Sequence, residues 1–294
     1  MALLGAPNAG KSTLLNTLIG AKVSIVTPKV QTTRTRVLGI CMAGPVQLVF
    51  IDTPGIFTPR RRLDRAMVAA AWQGAANADR VVVLVDAADA ADGRAAADTR
   101  RIIDGLEKSG SQAILALNKI DQVKRPALLA RTEALNESGL FSDTFMISAL
   151  NGAGVDDLRN FLAAAAPEGP WHFPEDQLTD MPERLLAAEI TREQLFLTLH
   201  QELPYSLTVE TESWENFKNG AARVEQIIYV ERDSQKAIVL GKGGRQIKAV
   251  GAAARQELAR LLDRQIHLFM RVKVRPRWAD DPERYRDLGL DYNS

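Results

Sequence analysis

The stretch "GAPNAGKS" at residues 5–12 fits the pattern GxxxxGKS and lies between a short apolar run, "ALL", and a helix-like run, "STLLNTLIG". That spacing suits phosphate. Gly5 and Gly10 let the backbone curl until its N–H groups converge, and the helix that follows adds partial positive charge at its start. Lys11 can reach the β- and γ-phosphates, and the Ser12 hydroxyl can ligate magnesium. Three further motifs follow in order. In "DTPG" (52–55), Asp52 can hold a magnesium-bound water and the Gly55 N–H can meet the γ-phosphate. In "NKID" (118–121), Asp121 can accept from N1 and N2 of guanine, where adenine offers neither donor. Asn118 can bond toward N7 and brace the phosphate loop, while the Lys119 stem covers the base. In "SAL" (148–150), the Ala149 N–H can be aimed at guanine O6. The joint order points to hydrolysis of a guanine nucleotide.

"QTTRT" (31–35) supplies the threonine expected to complete the magnesium shell when the γ-phosphate is present; Thr33 is the choice and Thr32 the alternative. Losing that contact on hydrolysis would release the segment and make a switch. The water is a separate question. Ras-like enzymes place it with a glutamine just after DxxG, but this chain has Ile56 and then Phe57. Asn8 offers another route, through a monovalent cation shared with phosphate oxygens. Slow turnover is expected either way.

A second glycine loop, "GKGG" (241–244), lacks the first loop's spacing and a preceding parallel strand. It joins a short apolar helix to a long one. Such a GxxG corner suits the backbone of a nucleic-acid strand, about four nucleotides in a KH module. Gly241, Gly243 and Gly244 permit close approach, and Lys242, Arg245 and Lys248 supply charge. The span from Lys236 to Arg277 carries eleven Lys and Arg residues against, in this reading, Glu257 and Asp263. A basic C-terminal face is therefore expected despite a formal net charge of +1 for all 294 residues.

Strand-like runs "VQLVFID" (46–52), "RVVVLVD" (80–86), "QAILALN" (112–118) and "TFMIS" (144–148) alternate with helical segments at 63–76, 93–108, 125–138 and 154–164. This βαβ rhythm predicts a largely parallel sheet with ligands at the carboxyl ends of its strands, where Asp52, Asn118 and Ser148 stand. Asp86 also ends a strand and reads as a loop cap. The four-proline stretch 166–182 reads as an extended connector. Beyond it the order is helix (183–200), two strands, short helix, glycine loop, helix (245–263) and a strand (266–274). The single cysteine, Cys41, excludes an internal disulfide, suits a reducing cytosolic compartment and reads as a small buried strand residue. The three histidines lack metal-ligand spacing, and no apolar run approaches the roughly 20 residues of a spanning helix. Only Met1 to Leu4 precede Gly5, fewer than the usual strand lead of about five, which suggests a longer natural start.

GAPNAGKS, QTTRT, DTPG, NKID, SAL, "ELPYS" (202–206) and GKGG together resemble the Era family of bacterial GTPases, over essentially the chain from Leu3 to about Asp281. The resemblance implies an α/β fold: a Ras-like P-loop GTPase domain (1–165) with a mostly parallel sheet, a linker (166–182), a smaller α+β type II KH domain (183–281) and a C-terminal tail (282–294). It implies GTP and GDP with magnesium, contacted by Gly5, Asn8, Ala9, Gly10, Lys11, Ser12, Thr13, Asp52, Thr53, Pro54, Gly55, Asn118, Lys119, Asp121, Ser148, Ala149 and Leu150. Ser12, Thr33 and, through water, Asp52 would hold the magnesium. Lys11, Asn8, Thr33 and Gly55 would serve hydrolysis, with potassium at Asn8. Implied partners are the 3′ end of 16S ribosomal RNA and the 30S subunit, whose maturation the family assists. A cytoplasmic monomer with peripheral inner-membrane association is also implied. Two rivals fit less well. A tRNA-modifying GTPase would need extra machinery and a terminal cysteine. A dead nucleotide domain conflicts with intact Lys11, Ser12, Asp52 and Asp121.

Overall fold

The computed structural model describes residues 1–30, 32–90, 93–200 and 203–294, leaving aside the side chain of Asp287. Gln31 of QTTRT and Glu202 of ELPYS lie outside the described residues. The chain forms two compact units: Met1–Ser24, Val30–Asp180 and Tyr285–Ser294 make the first, Ile25–Lys29 and Met181–Arg284 the second.

In the first unit, β1 (Ala2–Gly5), β2 (Val37–Ala43), β3 (Val46–Asp52), β4 (Val81–Asp86), β5 (Ala113–Asn118) and β6 (Phe141–Met146) form one sheet in the order β2-β3-β1-β4-β5-β6. Only β2–β3 is antiparallel. β4 ("VVVLVD") and β5 ("AILALN") are buried along their whole length, because central parallel strands are covered on both faces and need continuous apolar sequence. The covering helices are α1 (Lys11–Ile19), α2 (Arg62–Ala76), α3 (Arg94–Ser109), α4 (Arg125–Asn136) and α5 (Val155–Ala164). Strand order reverses at β1, which opens a crevice at the carboxyl ends of β1, β3 and β4. The phosphate loop begins there.

Several boundaries differ from the sequence reading. Cys41 lies on β2 as expected but is half-buried, and burial pushes its thiol up. β6 covers 141–146 rather than 144–148, because the Ser148 N–H turns to Ala153 O (2.9 Å). Residues 166–180, read as connector, pack within the first unit. Gln47 Oε1 accepts from the N–H groups of His172 (2.9 Å) and Phe173 (3.1 Å), and Trp171 Nε1 donates to Pro45 O (3.0 Å). The Ile40 N–H on edge strand β2 donates to Leu178 O (2.8 Å), using edge donors a sheet must otherwise protect. The end of the chain also belongs to this unit. Tyr285 and Leu290 bury against Phe57, Ala66 and Met67.

The second unit runs α6 (Glu183–Thr198), β7 (Leu207–Asn216), β8 (Ala222–Val230), α7 (Asp233–Leu240), α8 (Arg245–Leu261) and β9 (Ile266–Val274). β8 pairs antiparallel with β7 and parallel with β9. Val250, Ala254 and Leu258 recur every four residues and form the buried face of α8. Val250 packs with Leu195, Leu207, Ile228, Val230 and Val239 in one apolar cluster, and Leu258 with Ala187, Ile190, Ala222, Val224 and Ile266 in a second. Among the described residues no helix is long and apolar enough to cross a membrane.

Candidate nucleotide site and RNA loop

The phosphate loop leaves β1 at Gly5 and enters α1 at Lys11. Gly10 adopts φ 100°, and a Cβ there would stand 2.2 Å from Asn118 Nδ2, so both conformation and space demand glycine. Asn118 Nδ2 donates to Ala9 O (2.8 Å), which ties NKID to the phosphate loop as read from the sequence. The Asn118 Oδ1 accepts from the Ala149 N–H (2.9 Å). That N–H was expected to face guanine O6; in the structure it is spent on Asn118, so the amide links all three loops. Leu150 is exposed beside it. The Ser148 Oγ is buried with no partner.

Lys11 is buried, its ammonium donating to Gly5 O (3.0 Å) and Ala6 O (3.1 Å). Burial lowers its pKa to about 8, opposed by the Asp52 carboxylate. Above the lowered value the free chain carries a neutral amine, and phosphate favours the charged one, so nucleotide binding takes up a proton. Calorimetry at about pH 8.5 in buffers of different ionisation heat should show fractional proton uptake per nucleotide, fading toward about pH 6.5. Identical heats in the buffers at the higher pH would contradict the assignment.

Ser12, Thr33 and Asp52 come together from α1, the loop before β2 and the end of β3. Ser12 Oγ donates to Asp52 Oδ2 (2.6 Å) and lies 2.9 Å from Thr33 Oγ1. Of the two candidate threonines it is Thr33 that stands at Ser12, 8% exposed. Asp52 is fully buried, and burial raises its pKa against the pull of Lys11 and its hydroxyl donors. Its Oδ1 has no partner. A buried carboxylate oxygen left unpaired costs free energy unless a cation or its water answers it. This donor set, two hydroxyls and a carboxylate, is all hard oxygen and fits magnesium.

Thr53 is buried with its hydroxyl on Leu3 O (2.8 Å), a brace between β3 and β1. Gly55 lies against Pro7 of the phosphate loop, where a Cβ would meet Pro7 N at 2.9 Å. Pro54 is buried between them, while Thr13, on α1, is half-buried. Ile56 and Phe57 are 0% and 1% exposed and point into apolar clusters. Neither presents a group to water. Asn8 is exposed on the loop at φ 65°. Asp121, in a short turn after β5, is exposed.

Sequence reading missed four supports. Asp86 accepts from the Ala88 N–H (2.9 Å), the expected cap, but also pairs with Lys119 and so fixes the stem meant to cover the base. Thr17 Oγ1 donates to Ala149 O (2.7 Å). Ser24 Oγ donates to Asp52 Oδ2 (3.0 Å), and Asn16 holds the backbone of Ser24. Asp86 carried a signal in its strand-end position; the others carried none.

In the second unit, Gly241 ends α7 at φ 69° and ψ 173°, and a Cβ there would stand 2.7 Å from Gln246 Cβ. Gly243 and Gly244 also have positive φ but face open space. The corner thus exposes backbone and the first turn of α8. Lys242, Arg245 and Lys248 are exposed, and Arg245, Lys248 and Arg255 fall on one face of α8 by their spacing. The wider basic face is smaller than the sequence suggested. Arg260 forks onto Glu257, Arg264 pairs with Glu183, Arg271 with Glu212 and Glu225, and Arg275 with Asp281. Among the described residues Lys236, Lys242, Arg245, Lys248 and Arg255 make no ion pair, so net positive charge gathers at the glycine corner.

Comparisons with known proteins agree with this arrangement. Residues 1–119 match a family described as 50S ribosome-binding GTPase, and residues 202–279 match the KH domain. The GTPase Era of Rhizobium meliloti (strain 1021) is 58% identical over 292 residues, 99% of this chain and 92% of that protein. GTPase Era of Brucella suis biovar 1 (strain 1330) is 56% identical, covering 99% and 93%. Among solved structures, a variant of Aquifex aeolicus Era bound to GDP·AlF4⁻ superposes with a TM-score of 0.90 at 37% identity, covering 98% of this chain and 97% of that one. An Era complex with MgGDPNP and nucleotides 1506–1542 of 16S ribosomal RNA gives 0.91 at 37% identity, with the same coverage.

Proposed function

The chain belongs to the Era family of GTPases, and from that premise we propose that it binds GTP with magnesium at the first unit and the 3′ end of 16S ribosomal RNA at the second, assisting maturation of the 30S subunit. One observation supports the nucleotide half: Ser12 and Thr33 meet at the buried carboxylate of Asp52, whose Oδ2 Ser12 holds and whose Oδ1 has no partner among the described residues. Ser12, Thr33 and, through water, Asp52 would hold the magnesium, which supplies charge neutralisation for the phosphates. Lys11 holds the phosphate oxygens, Gly55 offers its N–H to the γ-phosphate, and Asp121 selects guanine. Asn118 and Lys119 shape the base pocket. The GKGG corner supports the RNA half, together with the solved Era complex that contains that RNA. A monomer in the cytoplasm, peripheral to the inner membrane, belongs to the proposal on family resemblance alone.

Filter binding tests the RNA half. A fragment matching nucleotides 1506–1542 should bind more tightly than a scrambled RNA of equal length; equal affinities would reduce the second unit to a general nucleic-acid binder.

Hydrolysis lacks a glutamine, since Ile56 and Phe57 are committed to the core. The Asn8 side-chain carbonyl would instead share a potassium ion with phosphate oxygens, adding positive charge where the transition state needs it. Asn8→Ala should remove stimulation by potassium and leave GDP binding nearly intact. Turnover in potassium and sodium chloride is the comparison. Equal rates in the two salts for the unmutated protein would sink the cation reading.

A further inference from the structure

Asp52 has two carboxylate oxygens in unlike situations. Oδ2 accepts hydroxyl protons from Ser12 (2.6 Å) and Ser24 (3.0 Å), the Thr33 hydroxyl also bears on the carboxylate, and among the described residues Oδ1 has no partner. Ser12 is expected from its motif. Ser24 belongs to none, yet it is 3% exposed and its place is tightly determined. Asn16 on α1 makes three hydrogen bonds around it: Oδ1 accepts from the N–H groups of Val23 (2.9 Å) and Ser24 (3.0 Å), and Nδ2 donates to Ser24 O (2.8 Å). A carboxylate held by one hydroxyl can swing about its Cβ–Cγ bond, a broad torsion. Each further donor, held on a different segment, narrows that swing.

We propose that Ser24 is a positioning residue for the magnesium site. By adding a donor to Oδ2 from a segment other than α1, it keeps Oδ1 turned toward the metal's water shell. Asn16 in turn keeps Ser24 in reach. The proposal rests on Asp52 serving magnesium, as read above. Ser24 acts through Asp52, to which its hydroxyl donates, as outer hydrogen-bond partners orient metal ligands elsewhere.

The test uses the full chain loaded with a fluorescent GDP analogue, whose release is followed as magnesium is titrated. Ser24→Ala should raise the magnesium concentration that half-suppresses release by on the order of tenfold, the effect of losing one hydrogen bond to a charged acceptor. Its affinity for the analogue in EDTA should match the unmutated protein, which a misfolded variant would not. Ser24→Thr, which keeps the hydroxyl, should restore the magnesium response. An unmoved midpoint in Ser24→Ala overturns the proposal. An equal shift in Ser24→Thr overturns it too, because packing would then be the cause. If release from the unmutated protein ignores magnesium altogether, the reading of Asp52 itself fails, and the positioning role falls with it.

Discussion

Replacing Lys242 and Gly243 together by aspartate should abolish binding of single-stranded RNA while GTP binding survives. Both positions are exposed, and a Cβ at Gly243 meets nothing within 4 Å. The fold therefore has room for the new side chains, and aspartate tolerates a positive φ better than most residues. The loss would thus fall on the ligand. Each aspartate places negative charge where backbone phosphate must approach, and the substitution removes Lys242, which makes no ion pair among the described residues. The unmutated protein should respond to salt for the same reason. A clamp on about four nucleotides engages roughly three phosphates, so affinity should drop about ten- to twentyfold between about 50 and 200 mM salt. Filter binding of a 16S 3′-end fragment and of GTP, on one preparation of the double mutant, reads both outcomes. Surviving RNA binding with lost GTP binding would make GKGG part of the nucleotide machinery.

Asp121→Asn should move base preference from guanine to xanthine. The carboxylate offers two acceptors to the two N–H donors of guanine, and the amide replaces one with a donor. Two charge-assisted hydrogen bonds are disturbed, so GTP affinity should fall by on the order of 100-fold or more, while XTP gains. Asp121 is exposed, so the effect on folding is small. Competition binding with GTP and XTP decides it. Unchanged GTP affinity would displace Asp121 from base recognition.

The nucleotide motifs were legible because each is local: a few consecutive residues at a strand end dictate both loop and chemistry. β3 and β9 were bounded by sequence for the same reason, an apolar pattern closed by a polar or turn residue. What escaped reading was non-local. The prolines of 166–182 predict an extended chain but not that Gln47, over a hundred residues earlier, holds it to the β2–β3 edge. The basic run of 236–277 predicts a charged face, but Glu183, Glu212 and Glu225, which neutralise much of it, arrive from other strands and helices. Ser24 sits between Val23 and Ile25 like any loop serine, and only the fold brings it to Asp52. The Ala149 N–H could be assigned to a base oxygen from the motif; its bond to Asn118 depends on how two loops meet.

One chain that holds two kinds of phosphate at separate places should bind both ligands at once. The most direct test is a two-label equilibrium measurement on the unmutated protein, with a fluorescent GTP analogue and a differently labelled RNA fragment of the 16S 3′ end, in magnesium. The account predicts a complex of one chain, one nucleotide and one RNA, with neither ligand displacing the other at saturation. Displacement of the RNA by excess GTP, in proportion to its occupancy, would contradict it.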